Sequence, residues 1–244
     1  MTVNSNLYAP PASANTEDDE FNNSVTSLAN WTDFGDLSGP AIDITAGFAG
    51  TTARRDINTP KRSWLRIQAP NDAVNLYGMH KLFAGAGALA DGIYWMRAAV
   101  AWRFGGLTAQ DSNIGLYLSS SAASLPDHAN EGPRIFLSET DTNVMQGEFD
   151  VLNGGTPVGP ANTGDLDQVG NHFEYVLILK DGDVYSGFIG SGPGNWVHLN
   201  TFTYTGGQTI DRVFIAAQNA SIASPGNMIV GVDFFRYNST KDLP

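Results

Sequence analysis

Residues 93–104, IYWMRAAVAWRF, constrain the fold more than any other part of the chain. Read with a period of two, one face carries Tyr94, Met96, Ala98, Val100, Trp102 and Phe104. The other face carries Ile93, Trp95, Arg97, Ala99, Ala101 and Arg103. Successive side chains of a strand point to opposite faces, so the first set predicts a core stripe and the second a mixed aromatic and basic face. A helical period of 3.6 fits the run less well despite its alanines.

Similar short runs follow at 63–69, 113–119, 134–138, 147–152, 173–180, 184–190, 196–203, 212–218 and 228–237. Between 173–180 and 184–190 stands Lys180-Asp181-Gly182-Asp183, and Asp-Gly readily takes the positive φ values of a tight hairpin turn. Gly192-Pro193-Gly194-Asn195 marks a second turn. The 27 glycines and 12 prolines suit many turns joining short strands. About ten strands with no amphipathic helix between them predict an all-β chain of antiparallel sheets packed face to face. At 244 residues this is one sandwich domain over residues 17–240. Residues 1–16 are polar and aperiodic and read as an extended N-terminal arm.

A net charge of −12 argues against nucleic acid and anionic membrane surfaces, because phosphate binding needs a basic surface. Without cysteine there is neither a disulfide nor a thiolate metal site. The first twenty residues lack the basic and apolar regions of a signal peptide, and no run approaches a membrane span. The histidines, His80, His128, His172 and His198, lack metal-ligand spacing. Gly85-Ala86-Gly87 reads as a turn and not as a phosphate loop.

Asp18-Asp19-Glu20-Phe21-Asn22, followed by Trp31, resembles the opening of concanavalin A-like jelly rolls. Residues 176–199, VLILKDGDVYSGFIGSGPGNWVHL, resemble a hairpin of that superfamily's DUF1349-like and glycosidase-associated sandwich modules. RVFIAAQNAS (212–221) and GVDFFRYN (231–238) are similar to its last two strands. The resemblance spans residues 18–238 and is strongest at its two ends. It implies a two-sheet jelly roll whose concave face or rim loops often bind sugars in relatives. The arm MTVNSNLYAPP also resembles modules of tailed-phage virions, where such sandwiches decorate fibres or capsids.

Three candidate sites follow. GEFDVLN (147–153) places Glu148 and Asp150 on one face of a strand, about 6.5–7 Å apart. Retaining glycosidases need two carboxyls about 5–5.5 Å apart, one as nucleophile and one as acid/base. The laminarinase-like relatives carry a third acid on this strand; by that resemblance Glu148 is the nucleophile and Asp150 its orienting partner. Asn153 stands at the acid/base position and cannot exchange a proton. The stretch is therefore either an ordinary strand with a solvated polar face or a disarmed sugar site.

Neighbouring first and last strands would bring Asp19 or Glu20 close to Asp233, an oxygen set suited to calcium. The alternative is that Asp233 caps backbone N–H groups. Trp95, flanked by Arg97 and Arg103, would stack on a sugar ring if its face is concave; otherwise it fills a second layer or a subunit interface.

Three functional readings remain open at this stage. The leading one is a non-enzymatic virion subunit of a tail fibre, head fibre or capsid decoration. Its arm would hold neighbouring virion proteins, its sandwich would bind host glycans or coat proteins, and it would form a homo-oligomer, a trimer in a fibre. The second is a carbohydrate-binding module acting outside the cell, and the third a glycoside hydrolase using Glu148.

Overall fold

The computed structural model describes residues 17–19, 21, 31–34, 42–45, 64–69, 72–83, 87–99, 112–120, 131–141, 144–154, 156–162, 166–167, 175–219 and 228–244. The arm (1–16), Glu20, residues 100–104 with Arg103, His128 and His172 lie outside them.

Among the described residues fifteen strands run in chain order: β1 (Thr32–Phe34), β2 (Ile42–Thr45), β3 (Trp64–Ala69), β4 (Asp72–Leu82), β5 (Gly92–Ala99), β6 (Ser112–Ser119), β7 (Gly132–Asp141) and β8 (Val144–Asn153), then β9 (Thr156–Asn162), β10 (Leu166–Asp167), β11 (Tyr175–Asp181), β12 (Val184–Gly192), β13 (Asn195–Thr203), β14 (Arg212–Asn219) and β15 (Met228–Asn238). No helix occurs among the described residues. Seven strands form one antiparallel sheet in the order β13-β12-β11-β5-β15-β3-β2. A second sheet runs β10-β8-β7-β6-β14, with β9 also on β8. β1 pairs with β4, and β4 lies beside β14. The expected two-sheet antiparallel jelly roll is the fold of the chain.

Period-two alternation decides which side chains fill the space between the sheets. Tyr94, Met96 and Ala98 of β5 are fully buried there, as their strand pattern predicts. Val176 and Ile178 of β11 and Val232 and Phe235 of β15 face Ile114, Leu116, Ile135, Phe149, Val213 and Ile215 in one buried cluster. Burying each such side chain contributes about 1.5–3 kcal/mol.

The sheets interlock through a reciprocal pair. A Cβ on Gly147 of β8 would strike the Ile189 side chain of β12, and one on Gly187 of β12 would strike the ring of Phe149. Each glycine makes the hollow that the opposite sheet's large side chain fills.

Both predicted turns close hairpins. Gly182 has φ 60° and joins β11 to β12, where Asp181 faces Val184. Gly194 has φ 78° and joins β12 to β13.

Two substantial strands escape the alternation test. β4 is buried from Leu76 through Lys81 without interruption. Tyr77 and Met79 join the central core, while Leu76 packs on Tyr117 and Phe214 on the outer side, so both faces are covered. β9 contains Pro157 and Pro160, residues that read as loop but are tolerated on a sheet edge.

The DDEF motif forms a clasp on the last strand. Asp19 and Phe235 exchange both backbone hydrogen bonds (2.9 and 2.8 Å). Asp19 Oδ1 accepts from the Phe21 N–H (2.7 Å) and Oδ2 from the Trp31 indole N–H (3.0 Å). Asp18 accepts from the Tyr237 N–H (2.9 Å). Lys81 donates to the Glu17 carbonyl (2.5 Å) and sits 5.3–5.4 Å from the ring centres of Trp31, Phe83 and Phe235. Burial depresses the Lys81 pKa, against the pull of Glu17.

Candidate functional site

The acidic strand β8 runs between β7 on one side and β9 and β10 on the other. Its pairing with β7 is regular from Met145 to Leu152. Glu148 and Asp150 therefore share the outward face, while Phe149 and Val151 enter the core.

Each acid has a committed partner. Asp150 stands directly opposite Arg134, and its two oxygens accept from Arg134 Nε (2.6 Å) and a terminal nitrogen (2.8 Å). Burial works most strongly against the guanidinium charge, but the Asp150 bonds and the negative charges of Asp150 and Glu148 together hold Arg134 above its ordinary pKa. Glu148 Oε1 accepts from the Ser138 hydroxyl at 2.7 Å. Beside them Phe136 and Tyr117 lie parallel, 6.4 Å apart, with the Arg134 guanidinium over Phe136. The Tyr117 hydroxyl donates to Asn113 Oδ1 (3.3 Å), and Asn113 Nδ2 donates to Gln218 (3.2 Å). Burial drives the Tyr117 phenol far above its usual range. Held in a two-point fork, the Arg134 guanidinium is a packing element that engages both oxygens of Asp150.

Asn153 belongs to neither acid's face. By alternation it shares the inward side of Val151, and at the strand's end it bonds Thr205: its Nδ2 donates to the hydroxyl (3.1 Å) and its Oδ1 accepts from the backbone N–H (3.1 Å).

The other expected site residues are dispersed. Trp95 and Arg97 lie on the outer face of the seven-stranded sheet, away from Glu148 and Asp150. Trp95 is only 3% exposed and packs edge-on against Phe234 and Trp196 beside Tyr175. Arg97 donates to Asp233 (2.9 Å) and covers Tyr175. Asp233 thus serves Arg97 while Asp19 serves Phe21 and Trp31; Glu20, the other acid of the calcium reading, lies outside the described residues. No cluster of three His, Asp or Glu suited to a metal occurs among the described residues.

A further buried carboxylate was not legible in the sequence. Glu131, 5% exposed, accepts from the Tyr204 hydroxyl (2.6 Å) and the Gly154 N–H (3.0 Å). Burial and this bond push the Tyr204 phenol up to about 12. Gly206 leaves room for the pair, since its Cβ would strike both side chains. Glu131 lies in a Gly/Pro-flanked segment (Asn130-Glu131-Gly132-Pro133), which reads as an exposed turn. Only its contact with a loop 73 residues later reveals the role.

The architecture defines the class of fold: a two-sheet antiparallel jelly-roll sandwich. Solved structures share it over nearly the whole chain. The Bacillus licheniformis β-glucanase superposes with a TM-score of 0.53 at 12% identity, covering 91% of this chain and 97% of the glucanase. A Crh5 transglycosylase, solved with NAG, gives 0.54 at 12% identity over 97% of this chain and 90% of that one. The GH43B protein of the Bacteroides ovatus xyloglucan locus gives 0.54 at 13%, and this chain spans 38% of its length. At these identities the likeness is one of fold. No family model and no curated protein matches the sequence.

Proposed function

We propose that this chain is a non-enzymatic sandwich subunit of a tailed-phage virion, a DUF1349-like module in a fibre or capsid decoration. It acts by attachment: the arm holds neighbouring virion proteins, and the sandwich contacts coat proteins or host glycans. The observation that carries the non-catalytic half is the Arg134 fork on Asp150, together with the turn of Asn153 away from Glu148. Glu148 is bonded to a serine, and the carboxyl beside it, Asp150, is engaged on both oxygens by Arg134, so neither acid of this strand stands free as one of the two carboxyls of a glycosidase. The virion half is supported by the resemblance of MTVNSNLYAPP to phage modules.

Two experiments test the halves separately. Wild type and Glu148→Gln are incubated with β-glucans, carrageenans and alginate; turnover by wild type that the substitution abolishes overturns the non-catalytic reading. Mass spectrometry of purified particles tests the other half, and absence of the chain from virions removes it.

A further inference from the structure

We infer that β13 is the edge through which two copies of this chain pair, continuing the seven-stranded sheet across a two-fold axis. The inference rests on the edge itself and not on the virion role. Among the described residues β13 pairs with β12 alone and ends its sheet. One side of its backbone therefore presents amide and carbonyl groups to which only another extended strand is fully complementary.

Natural edges are blunted with charge or proline. At the nearby edge of the other sheet, β9 carries Pro157 and Pro160. β13 has neither device. Its nine residues, NWVHLNTFT, include no proline and no Lys, Arg, Asp or Glu, in a chain of net charge −12. Val197 on this strand is 44% exposed.

Facing and register identify the occupant as a second copy. The pairing with β12 shifts between Gly187 and Phe188, which leaves Leu199 as an extra residue at the centre of β13. Trp196 and His198 oppose Gly190 and Phe188, while Thr201 and Thr203 oppose Ser186 and Val184, so all four point outward. Val197 and Phe202 oppose Ile189 and Tyr185 and point the other way. Placing Trp196 opposite the partner's Thr203 in an antiparallel copy then sets His198 against Thr201 and Val197 against Phe202. Every pair shares a face. The two-fold axis makes the apolar Val197–Phe202 contact twice and brings no like charges together on the strand, so the chain's overall acidity is not concentrated there. A foreign strand would have no reason to match this internal symmetry.

The test is sedimentation of the full chain at tens of micromolar, with circular dichroism to confirm folding. Wild type is expected to sediment as a dimer. Val197→Lys, at an exposed position, is expected to weaken the dimer at least about tenfold without changing the spectrum. Because the chain has no cysteine, Asn200→Cys offers a second readout that does not depend on Val197. It should form disulfide-linked dimers on mild oxidation, and Leu82→Cys, exposed on β4, should not. A monomer at all concentrations, a trimer, a dimer indifferent to Val197→Lys, or no cross-link at position 200 overturns the proposal.

Discussion

Arg134 and Asp150 stand opposite each other on β7 and β8 and share two hydrogen bonds, of 2.6 and 2.8 Å, on a face where Asp150 is 4% exposed. This pair ties neighbouring strands together across the face that carries both acids.

Removing one member should therefore cost more than removing both. Asp150→Ala leaves a mostly buried guanidinium without its counter-charge and should destabilise the fold by about 3 kcal/mol. The double replacement Arg134→Leu with Asp150→Leu should recover most of that loss, because neither charge then needs solvation. Urea unfolding of wild type and the two variants checks it; a double variant no more stable than Asp150→Ala would contradict a coupled pair.

Asp19 supplies both oxygens to the N-terminal clasp. Asp19→Ala leaves the Phe21 amide and the Trp31 indole N–H without this acceptor and should cost about 2–6 kcal/mol, at about 1–3 for each orphaned donor. The emission of Trp31, which is 4% exposed, should shift to longer wavelength as the clasp loosens. A variant with unchanged stability and emission would show that the motif is not holding the first strand.

The interlock of Gly187 and Phe149 leaves no space for a methyl group. Gly187→Ala should destabilise the sandwich by about 1–3 kcal/mol through overpacking. The loss should shrink when Phe149→Leu is introduced beside it, since the smaller side chain vacates the hollow. Thermal unfolding of the single and double variants measures the coupling.

His80 should contribute acid sensitivity. It is 7% exposed, its ring packs on Phe214, and Arg212 lies beside it at 3.4 Å. Burial first, and the Arg212 charge second, lower its pKa below 6.5. The unfolded chain then binds this proton more readily than the folded one. Its share of stability is present above pH 6.5 and is lost as the pH falls through 6.5 toward the folded-state value. Melting temperatures between pH 7.5 and 5 should drop more steeply for wild type than for His80→Gln. Parallel slopes would exclude the histidine as the cause.

Much of the fold was legible because a strand records its own burial. In β5, β11, β14 and β15 a covered inner face opposes a differently populated outer one, and Asp181-Gly182 announces its turn. Asp18-Asp19-Glu20-Phe21 and Trp31, distinctive only as a resemblance, become intelligible once Asp19 is seen bonding the Trp31 indole. β4 stayed hidden because Asn75, Gly78, His80 and Lys81 break its apolar run, although the strand is buried from Leu76 to Lys81.

The sequence by itself determined which residues of β8 share a face, since local backbone geometry alone places Glu148 beside Asp150. It could not determine what those acids meet. Arg134 and Ser138 reach them only through the register of β7 on β8, and Asn153 finds Thr205 across 52 residues. The face of a strand is set by its pleat, but the chemistry of that face is set by its neighbours, and only the tertiary structure brings neighbours together.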